Sequence, residues 1–345
     1  MKDKYDVIIV GAGPAGLSCA EVLAKGGKSV LVLEKNNEVG PKICAGGLSA
    51  KVIENDYLSL QDVDKIFHSI KIIFPGTVKK ITHHNPLVAT ISREKLGKIM
   101  LEKALKSGAE VRTETEVKEI NNNSIIVNGQ KINYQYLIGA DGSNSTIRKF
   151  LGIKTEKILV ALQYVVPQEV QMFEEMKYFF DSRIFSGYFW IFPHRDYTIV
   201  GAVHCPKFNR KKHFDLKNNF KKWLENKHIK TNGLKLEGFP ISFDYQGYQF
   251  GNKFLIGDAG GFASGLTGEG IYFAIISGRE AARKIIDPRY NCPEISKILK
   301  IKRNHENFLG LLVFFNNLSP NLGLKLSAFF YNFPLTKKII EKIIV

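Results

Sequence analysis

Residues 5–34 read YDVIIVGAGPAGLSCAEVLAKGGKSVLVLE, the order expected for a strand, a glycine turn, a helix, a second strand and an acid. The apolar run at residues 7–10 is typical of a strand that is buried on both faces. In such a unit Gly11 permits the tight turn, Gly13 lets the backbone approach a pyrophosphate, and Gly16 lets the helix pack closely on the strand. The segment therefore predicts a βαβ unit that binds a dinucleotide.

The helix of this segment and Glu34 at its end predict further contacts to the dinucleotide. The helix expected over residues 14–25 points its positive N-terminal end at the phosphates, and Pro14 suits its first turn. The strand at residues 29–33 ends at Glu34, whose carboxylate is placed to accept hydrogen bonds from a ribose diol, and Lys35 beside it is a further candidate contact. The alternative, a glycine-rich turn in an unrelated α/β protein, is weaker because of the flanking strands and the acid.

A second glycine-rich segment lies far along the chain, where residues 253–278 read KFLIGDAGGFASGLTGEGIYFAIISG. Residues 254–256 predict a short buried strand, and Asp258 follows at its carboxyl end, where open α/β sheets bind ligands. Glycines of this loop, Gly268 among them, would let the backbone pass close to a flat ring system, and the helix that begins near Gly270 would direct its N-terminus at a flavin. A helix N-cap is the alternative role for Asp258. Together the two segments predict a chain that binds FAD.

The middle of the chain predicts a second lobe. Strand patterns occur at residues 70–74, 78–82 and 87–91 and dominate residues 159–241, with one helical segment near residues 214–226. We expect a largely antiparallel sheet that roofs the flavin. The fold class is therefore α/β, with a Rossmann-type FAD-binding domain (residues 1–68, 92–157 and 243–290) interleaved with a mainly antiparallel β-sheet substrate domain (69–91 and 158–242) and followed by a helical C-terminal tail (291–345).

Two further candidate cofactor contacts are Arg93 and Val117. The first lies in the helix predicted between residues 92 and 108, and the second follows it. Ser92 is its expected N-cap and Gly108 its stop. Arg93 in the first turn is a candidate flavin contact, and a solvated surface arginine is an equally weighted alternative. Val117 is expected to lie over the adenine.

Length, cysteine content and net charge limit the kinds of protein that this chain can be. The 345 residues suffice for two lobes and a tail, and four cysteines without a CxxC pair or a metal-like cluster indicate a reducing, cytoplasmic setting with no metal site. The first strand begins near residue 6, so we expect no signal peptide, and no apolar stretch has the length of a membrane span. The net charge of +16 suits an anionic membrane, an acidic substrate or an acidic electron-transfer protein. We expect no nucleic-acid partner, because the lysines are dispersed and no reading motif is present.

Several motifs carry a family resemblance. GAGPAG with Glu34, GADGSNSTIR at residues 139–148 and GDAGGF at residues 257–262 resemble the flavoproteins that include aromatic hydroxylases. CAGGLS at residues 44–49 resembles the Cys-Gly-x-Gly-Leu loop of the geranylgeranyl reductase family, and YFWIFP at residues 188–193 matches its Tyr-x-Trp-x-Phe-Pro signature. The resemblance implies an FAD enzyme that saturates isolated double bonds of prenyl chains on lipids, quinones or chlorophyll precursors. The FAD contacts that it implies are Ala15, Glu34, Cys44, Ala45, Gly47, Arg93, Val117, Asp258, Gly270 and Ile271.

The chain departs from the family pattern in three ways. Ala45 stands where many members have glycine, Gly265 stands where many have proline, and the C-terminal region is shorter than in the archaeal lipid reductases. The lipid head-group contact is therefore unassigned.

The signature strand predicts a substrate wall. In an extended strand Tyr188, Trp190 and Phe192 share one face, and with Pro193 they would form an apolar surface for an isoprenoid. Ordinary core packing is the alternative for such an aromatic stripe. Flavin halogenases have a similar Trp-x-Trp-x-Ile-Pro strand, but this chain has Tyr and Phe at the differing positions.

Cys44 is the candidate catalytic residue, for positioning or for proton supply. A role as an inert small hydrophobe is the alternative. We find no second GxGxxG unit for a nicotinamide cofactor, so NAD(P)H, ferredoxin or a quinol are all open as the electron donor.

The last residues, 305–345, are apolar and aromatic with interspersed lysines. A helix over residues 335–344 would be amphipathic and could lie at the inner face of a membrane, cap the substrate lobe or form a dimer contact. Two rival functions stay open at this point: a flavin monooxygenase acting on an aromatic ring, and a non-catalytic, membrane-associated flavin binder.

Overall fold

The computed structural model of the chain describes residues 2–55, 57–181, 183–184, 186–208, 214–319 and 322–330. Its strands in chain order are β1 (Lys4–Val10), β2 (Val30–Leu33), β3 (Gly47–Ser49), β4 (Lys65–Phe67), β5 (Ser69–Phe74), β6 (Thr77–Thr82), β7 (Val88–Thr90), β8 (Glu110–Arg112), β9 (Glu119–Ile120), β10 (Ser124–Val127), β11 (Gln130–Gly139), β12 (Ile158–Pro167), β13 (Met176–Phe179), β14 (Gly187–Pro193), β15 (Tyr197–His204), β16 (Glu237–Ser242), β17 (Gln249–Phe250) and β18 (Lys253–Leu255). Its helices are α1 (Pro14–Lys25), α2 (Lys51–Glu54), α3 (Arg93–Lys106), α4 (Thr146–Phe150), α5 (Leu216–Asn226), α6 (Ile271–Ile286), α7 (Pro293–Leu318) and α8 (Leu322–Phe330).

A mostly parallel sheet forms the first half of the molecule. Its strand order is β17-β18-β11-β1-β2-β8, and the β18-β11-β1-β2-β8 pairs are all parallel. Alternate residues of β1 enter two different cores: Val7 and Ile9 pack beneath α1 and α6, whereas Ile8 and Val10 pack on the opposite face. This burial on both faces explains why the strand sequence is a continuous apolar run.

An antiparallel sheet forms the second half, in the order β16-β12-β15-β14-β13-β5-β6. All its pairs are antiparallel except β13 with β5. On one face of β14, Phe189 packs on Phe220 and Trp223 of α5, which explains the amphipathic sequence of that helix. The other face of β14 carries the predicted aromatic wall and turns toward the parallel sheet.

Three strands owe their extent to their partners. Strand β11 is long because its first half pairs with β10 and most of its length pairs with β1. Strand β8 is short and pairs with the end of β2. Strand β3 forms because β7 offers it a partner.

The C-terminal helices pack back onto the FAD-binding half. α6 lies against α1, where a side chain at Gly278 would collide with the carbonyl of Ala15. Lys302 of α7 is buried and donates to the carbonyls of Phe243 and Ala263 at 2.6 and 3.0 Å. Within the described ranges, no helix combines the length and apolar character that crossing a membrane requires. The helix predicted at 335–344 lies outside the described residues.

Candidate cofactor and substrate site

A cavity of about 610 Å³ is lined by residues of both sheets and of the loops between them. It brings together most of the site residues predicted from the sequence. Those that line it are Gly11, Gly13, Ala15, Glu34, Lys35, Cys44, Ala45, Gly47, Arg93, Val117, Tyr188, Trp190, Phe192, Asp258, Gly268, Gly270 and Ile271. Gly16 and Pro193 are not part of the lining: a side chain at Gly16 would collide with the carbonyl of Gly11, and the Pro193 carbonyl accepts a hydrogen bond from Thr90 Oγ1 at 2.8 Å.

One wall of the cavity is the N-terminus of α1. Gly13 is the N-cap, no side chain caps the helix, and its first turn contains no acid. A Cβ built on Gly13 meets no atom within 4 Å, whereas Gly11 has a φ of +105° and no room beside Ala140. The first-turn N–H groups and the positive end of the helix dipole therefore face open space, which fits a pyrophosphate.

Glu34 lies at the end of β2 in the same wall. Its Oε2 accepts the N–H of Ala12 at 2.9 Å, and its Oε1 accepts the N–H of Asn36 at 3.0 Å. The Glu34 carbonyl accepts the N–H of Thr115, which brings the neighbouring Val117 into the lining. The arrangement fits the predicted ribose and adenine contacts.

The loop before α6 is another part of the cavity lining. Gly270 is the N-cap of α6, again without a capping side chain or an acid in the first turn. Asp258 does not serve as this cap: its Oδ2 pairs with Lys42 Nζ at 3.0 Å and accepts a hydrogen bond from Ser143 Oγ at 3.3 Å. The N-terminus of α6 is thus available to an electron-rich ring edge, and Lys42, which the sequence did not single out, adds a positive charge.

Four polar atoms of the lining residues are buried and have no hydrogen-bond partner in the described part of the chain. They are Nε of Arg93, Oδ1 of Asp141, Nε1 of Trp190 and Oε1 of Glu269. Arg93 is half-buried at the start of α3, so the solvated-surface alternative does not describe it. Buried polar atoms without partners are rare in folded proteins, so Arg93 and Asp141 are suited to hold a polar ligand.

The loop that carries Cys44 is held by a histidine. His194 Nε2 lies 3.0 Å from the carbonyl of Ala45, and its Nδ1 lies 3.0 Å from Asp64 Oδ2. Burial pushes the pKa of Asp64 upward, but His194, the Ser92 N–H and the charge of Lys95 together hold it below its ordinary value. Cys44 lines the cavity, and its Sγ accepts the N–H of Gly46 at 3.4 Å. Its assignment to positioning or proton supply stays a prediction.

The aromatic wall is also part of the cavity lining. Tyr188, Trp190 and Phe192 lie on one face of β14, with ring centroids 6.1 and 6.2 Å apart in sequence order. Tyr178 of β13 extends the wall, at 5.7 Å from Tyr188 and 5.2 Å from Phe192. All four rings also pack in or against the core of this lobe, so the core-packing and cavity-wall interpretations both hold.

Glu269 is a carboxyl of the lining that the sequence did not single out. Glu269 stands between the predicted contacts Gly268 and Gly270, and its Oε1 is buried without a hydrogen-bond partner among the described residues. Burial raises its pKa to about 7, against the opposing effects of Lys51 and the Ser49 N–H. Its place in the loop was visible in the sequence, but its burial was not.

Comparison with known proteins identifies the family. The model of the FAD binding domain family matches residues 4–288. The chain belongs to this family. An uncharacterised protein of Methanosarcina barkeri is 34% identical over 299 residues, which are 82% of this chain and 74% of the relative. Digeranylgeranylglycerophospholipid reductase 3 of Methanosphaera stadtmanae is 27% identical over 319 residues, which are 84% of this chain and 80% of the relative.

The fold is shared with a solved structure, described as geranylgeranyl bacteriochlorophyll reductase-like, from Thermoplasma acidophilum. The TM-score is 0.77 at 23% identity, and the match covers 99% of each chain. The predicted fold, FAD as the cofactor and the resemblance to geranylgeranyl reductases are thereby confirmed, and the protein is an FAD-dependent oxidoreductase. The individual FAD contacts stay predictions, which the open helix ends and the partnerless Arg93 and Asp141 atoms fit.

Proposed function

We propose that this protein is an FAD-dependent reductase that saturates isolated C=C bonds in a prenyl chain. The observation that carries the proposal is the continuity of one cavity, from the uncapped ends of α1 and α6 to the aromatic wall of β14. A cofactor held at the helix ends and an isoprenoid held at the wall would be in contact within that cavity. The names of relatives such as the Methanosphaera stadtmanae reductase support the same reaction class.

The chemistry of the wall suits a hydrocarbon chain. Besides the aromatic rings, the antiparallel sheet contributes the apolar side chains of Ala161, Val203, Phe239 and Ile241. Apolar walls with few polar groups are typical of sites for apolar ligands, since they exclude water and provide dispersion contacts. An isolated alkene offers no hydrogen-bonding group, so positioning by shape is what the protein must supply.

The cofactor and the lining residues would have separate roles in this reaction. Bound FAD supplies the electron pair for the reduction. The helix ends, Arg93 and the Lys42–Asp258 pair would hold the cofactor, and the wall at Trp190 would orient the chain and keep water away. The electron donor is open: a nicotinamide, a ferredoxin or a quinol would each serve.

Mass spectrometry of prenyl lipids and quinones tests the proposal directly. The FAD-loaded protein, reduced with dithionite under anaerobic conditions, is incubated with geranylgeranyl diphosphate and with digeranylgeranyl lipids. We expect a gain of two hydrogens per saturated double bond. Failure of every prenyl compound to gain hydrogens, together with an oxygen-dependent product from an aromatic compound, would replace the reductase with the hydroxylase alternative.

We further propose that α7 contacts a membrane from which the lipid substrate enters. Leu311, Phe314 and Leu318 lie on one face of α7 and are 51, 57 and 64% exposed. Exposed apolar side chains on a helix of a strongly basic chain suit the interface of an anionic bilayer.

Flotation with anionic liposomes tests this contact. Replacing all three of these α7 side chains with serine is expected to lower the floated fraction several-fold, because their buried area is lost. The matched control replaces Leu60, Val78 and Met172, which are similarly exposed elsewhere, and should float like the wild type. Equal flotation of the two triple variants would contradict the proposal.

A further inference from the structure

Glu269 lies where the cofactor loop meets the aromatic wall. Its N–H donates to Thr267 Oγ1 at 3.3 Å, and its carbonyl accepts the N–H of Ser264 at 2.9 Å. The same loop is bonded to the aromatic wall, since the Tyr188 hydroxyl donates to the Thr267 carbonyl. The loop thus fixes Glu269 between the N-terminus of α6 and the aromatic rings of β14.

The other carboxyls of the cavity have at least one oxygen bound to a partner or face solvent. Asp258 is paired with Lys42, and Glu34 accepts two backbone N–H groups. Asp141 accepts the N–H groups of Thr146 and Ile147 through Oδ2. The remaining two, Glu38 and Glu116, are exposed. Glu269 Oε1 and Asp141 Oδ1 are both buried without a hydrogen-bond partner in the described structure. Glu269 differs from Asp141 because its loop is bonded to the aromatic wall through the Thr267 carbonyl and the Tyr188 hydroxyl.

The surroundings of Glu269 favour its protonated form near neutral pH. Burial raises its pKa to about 7, while Lys51 of α2 and the N–H of Ser49 act in the opposite direction. Tyr178, Tyr188 and Tyr272 are the other ionisable groups whose titration it influences, and burial raises the pKa of each phenol. They therefore stay neutral across the range in which Glu269 titrates.

We propose that Glu269 is the proton donor for saturation of the prenyl double bond, an inference that rests on the proposed reductase function. In the step, the π bond breaks and two C–H bonds form. Reduced FAD would supply a hydride, with its electron pair, to one alkene carbon and would be left oxidised. The neighbouring carbon takes a proton from the Glu269 carboxyl, whose O–H bond breaks, and the carboxylate regains a proton from water.

The first test is a single turnover of the FAD-loaded, dithionite-reduced protein with geranylgeranyl diphosphate in the absence of oxygen. We expect Glu269→Gln to form saturated product about 100-fold more slowly or worse, the usual loss on removal of a general acid. The wild-type rate should fall as the pH rises through about 7, because the proton is lost, and the residual rate of the variant should not follow that profile. Glu54→Gln, which removes an exposed carboxyl of α2, is the matched control and should behave as wild type.

The second test does not depend on turnover. A carboxyl whose pKa rises on folding from the ordinary 4.5 to about 7 binds more protons in the folded state within that range. This carboxyl therefore stabilises the folded state at low pH, and that contribution is lost as the pH rises from 4.5 to about 7. We compare the melting temperatures of Glu269→Gln and the wild type, both with FAD bound. We expect that of the variant to rise relative to that of the wild type as the pH is raised from about 5 to about 8.

The outcomes separate this inference from the function on which it rests. A wild type that saturates no prenyl compound overturns the proposed function and the proton donor with it. An active wild type whose Gln variant keeps both the rate and the pH profile overturns the role of Glu269 alone. A Gln variant that loses activity together with FAD affinity, and shows no pH-dependent gain in melting temperature, would make Glu269 a structural residue and also overturn the role.

Discussion

Gly13→Glu is expected to yield a folded protein that no longer retains FAD. The backbone at Gly13 has φ −77° and ψ 179°, which any residue can adopt, and a Cβ there meets no atom within 4 Å. The new side chain would project into the cavity at the N-terminus of α1, where it would occupy the pyrophosphate position and repel its charge. We expect FAD affinity to fall about 100-fold or more, the equivalent of about 3 kcal/mol.

The measurement is a titration of the apoprotein with FAD, followed by flavin fluorescence, together with the circular dichroism of both forms. Gly310→Glu is the matched control, because Gly310 also has open space around its Cβ but lies on the exposed face of α7. It should bind FAD like the wild type. Retention of full FAD affinity by Gly13→Glu would place the cofactor elsewhere.

The parts of the fold that local signals specify were predictable. The helix predicted at residues 14–25 is observed as Pro14–Lys25, since a glycine turn, a proline at the first position and two terminal glycines mark its ends. Ser92 caps α3 as expected, accepting the N–H of Lys95. In each case the determining contacts lie within a few residues of one another along the chain.

The parts of the site that depend on distant partners were not predictable. Lys42 matters because Asp258, which lies 216 residues further along the chain, is its partner. His194 holds the Cys44 loop through Asp64 and Ala45, two positions that no spacing rule connects to it. Glu269 shows the same limitation for electrostatics, because a pKa depends on burial and burial is a property of the assembled cavity.

The division between the two sheets also explains why two interpretations of the aromatic strand were possible from sequence. A strand alternates its faces, so Phe189 and Tyr188 are neighbours in sequence but belong to different clusters. Only the packing of α5 on one face shows that the other face is left for the cavity. The sequence indicated that the rings share one face of the strand, and the tertiary structure showed that this face lines the cavity.

Ala161→Trp is expected to abolish most prenyl turnover while FAD binding persists. Ala161 lies on β12, paired with Val203 of β15 and Phe239 of β16, and all three line the apolar part of the cavity. An indole at this position would fill space that the proposed substrate needs, and a strand accepts tryptophan readily. Because a misplacement of about 1 Å can lower a rate about 100-fold, we expect kcat/KM for a prenyl substrate to fall by about that factor.

Val165→Trp separates this steric effect from a general disturbance of the strand. Val165 lies on the same face of β12, four residues further along, but is 37% exposed and outside the cavity lining. The same indole should therefore leave both FAD affinity and turnover near the wild-type values. Because Ala161 is remote in sequence from both glycine loops, a selective loss of turnover in Ala161→Trp would locate the hydrocarbon chain against β12. Equal turnover by the two variants would instead require the substrate to bind outside this wall.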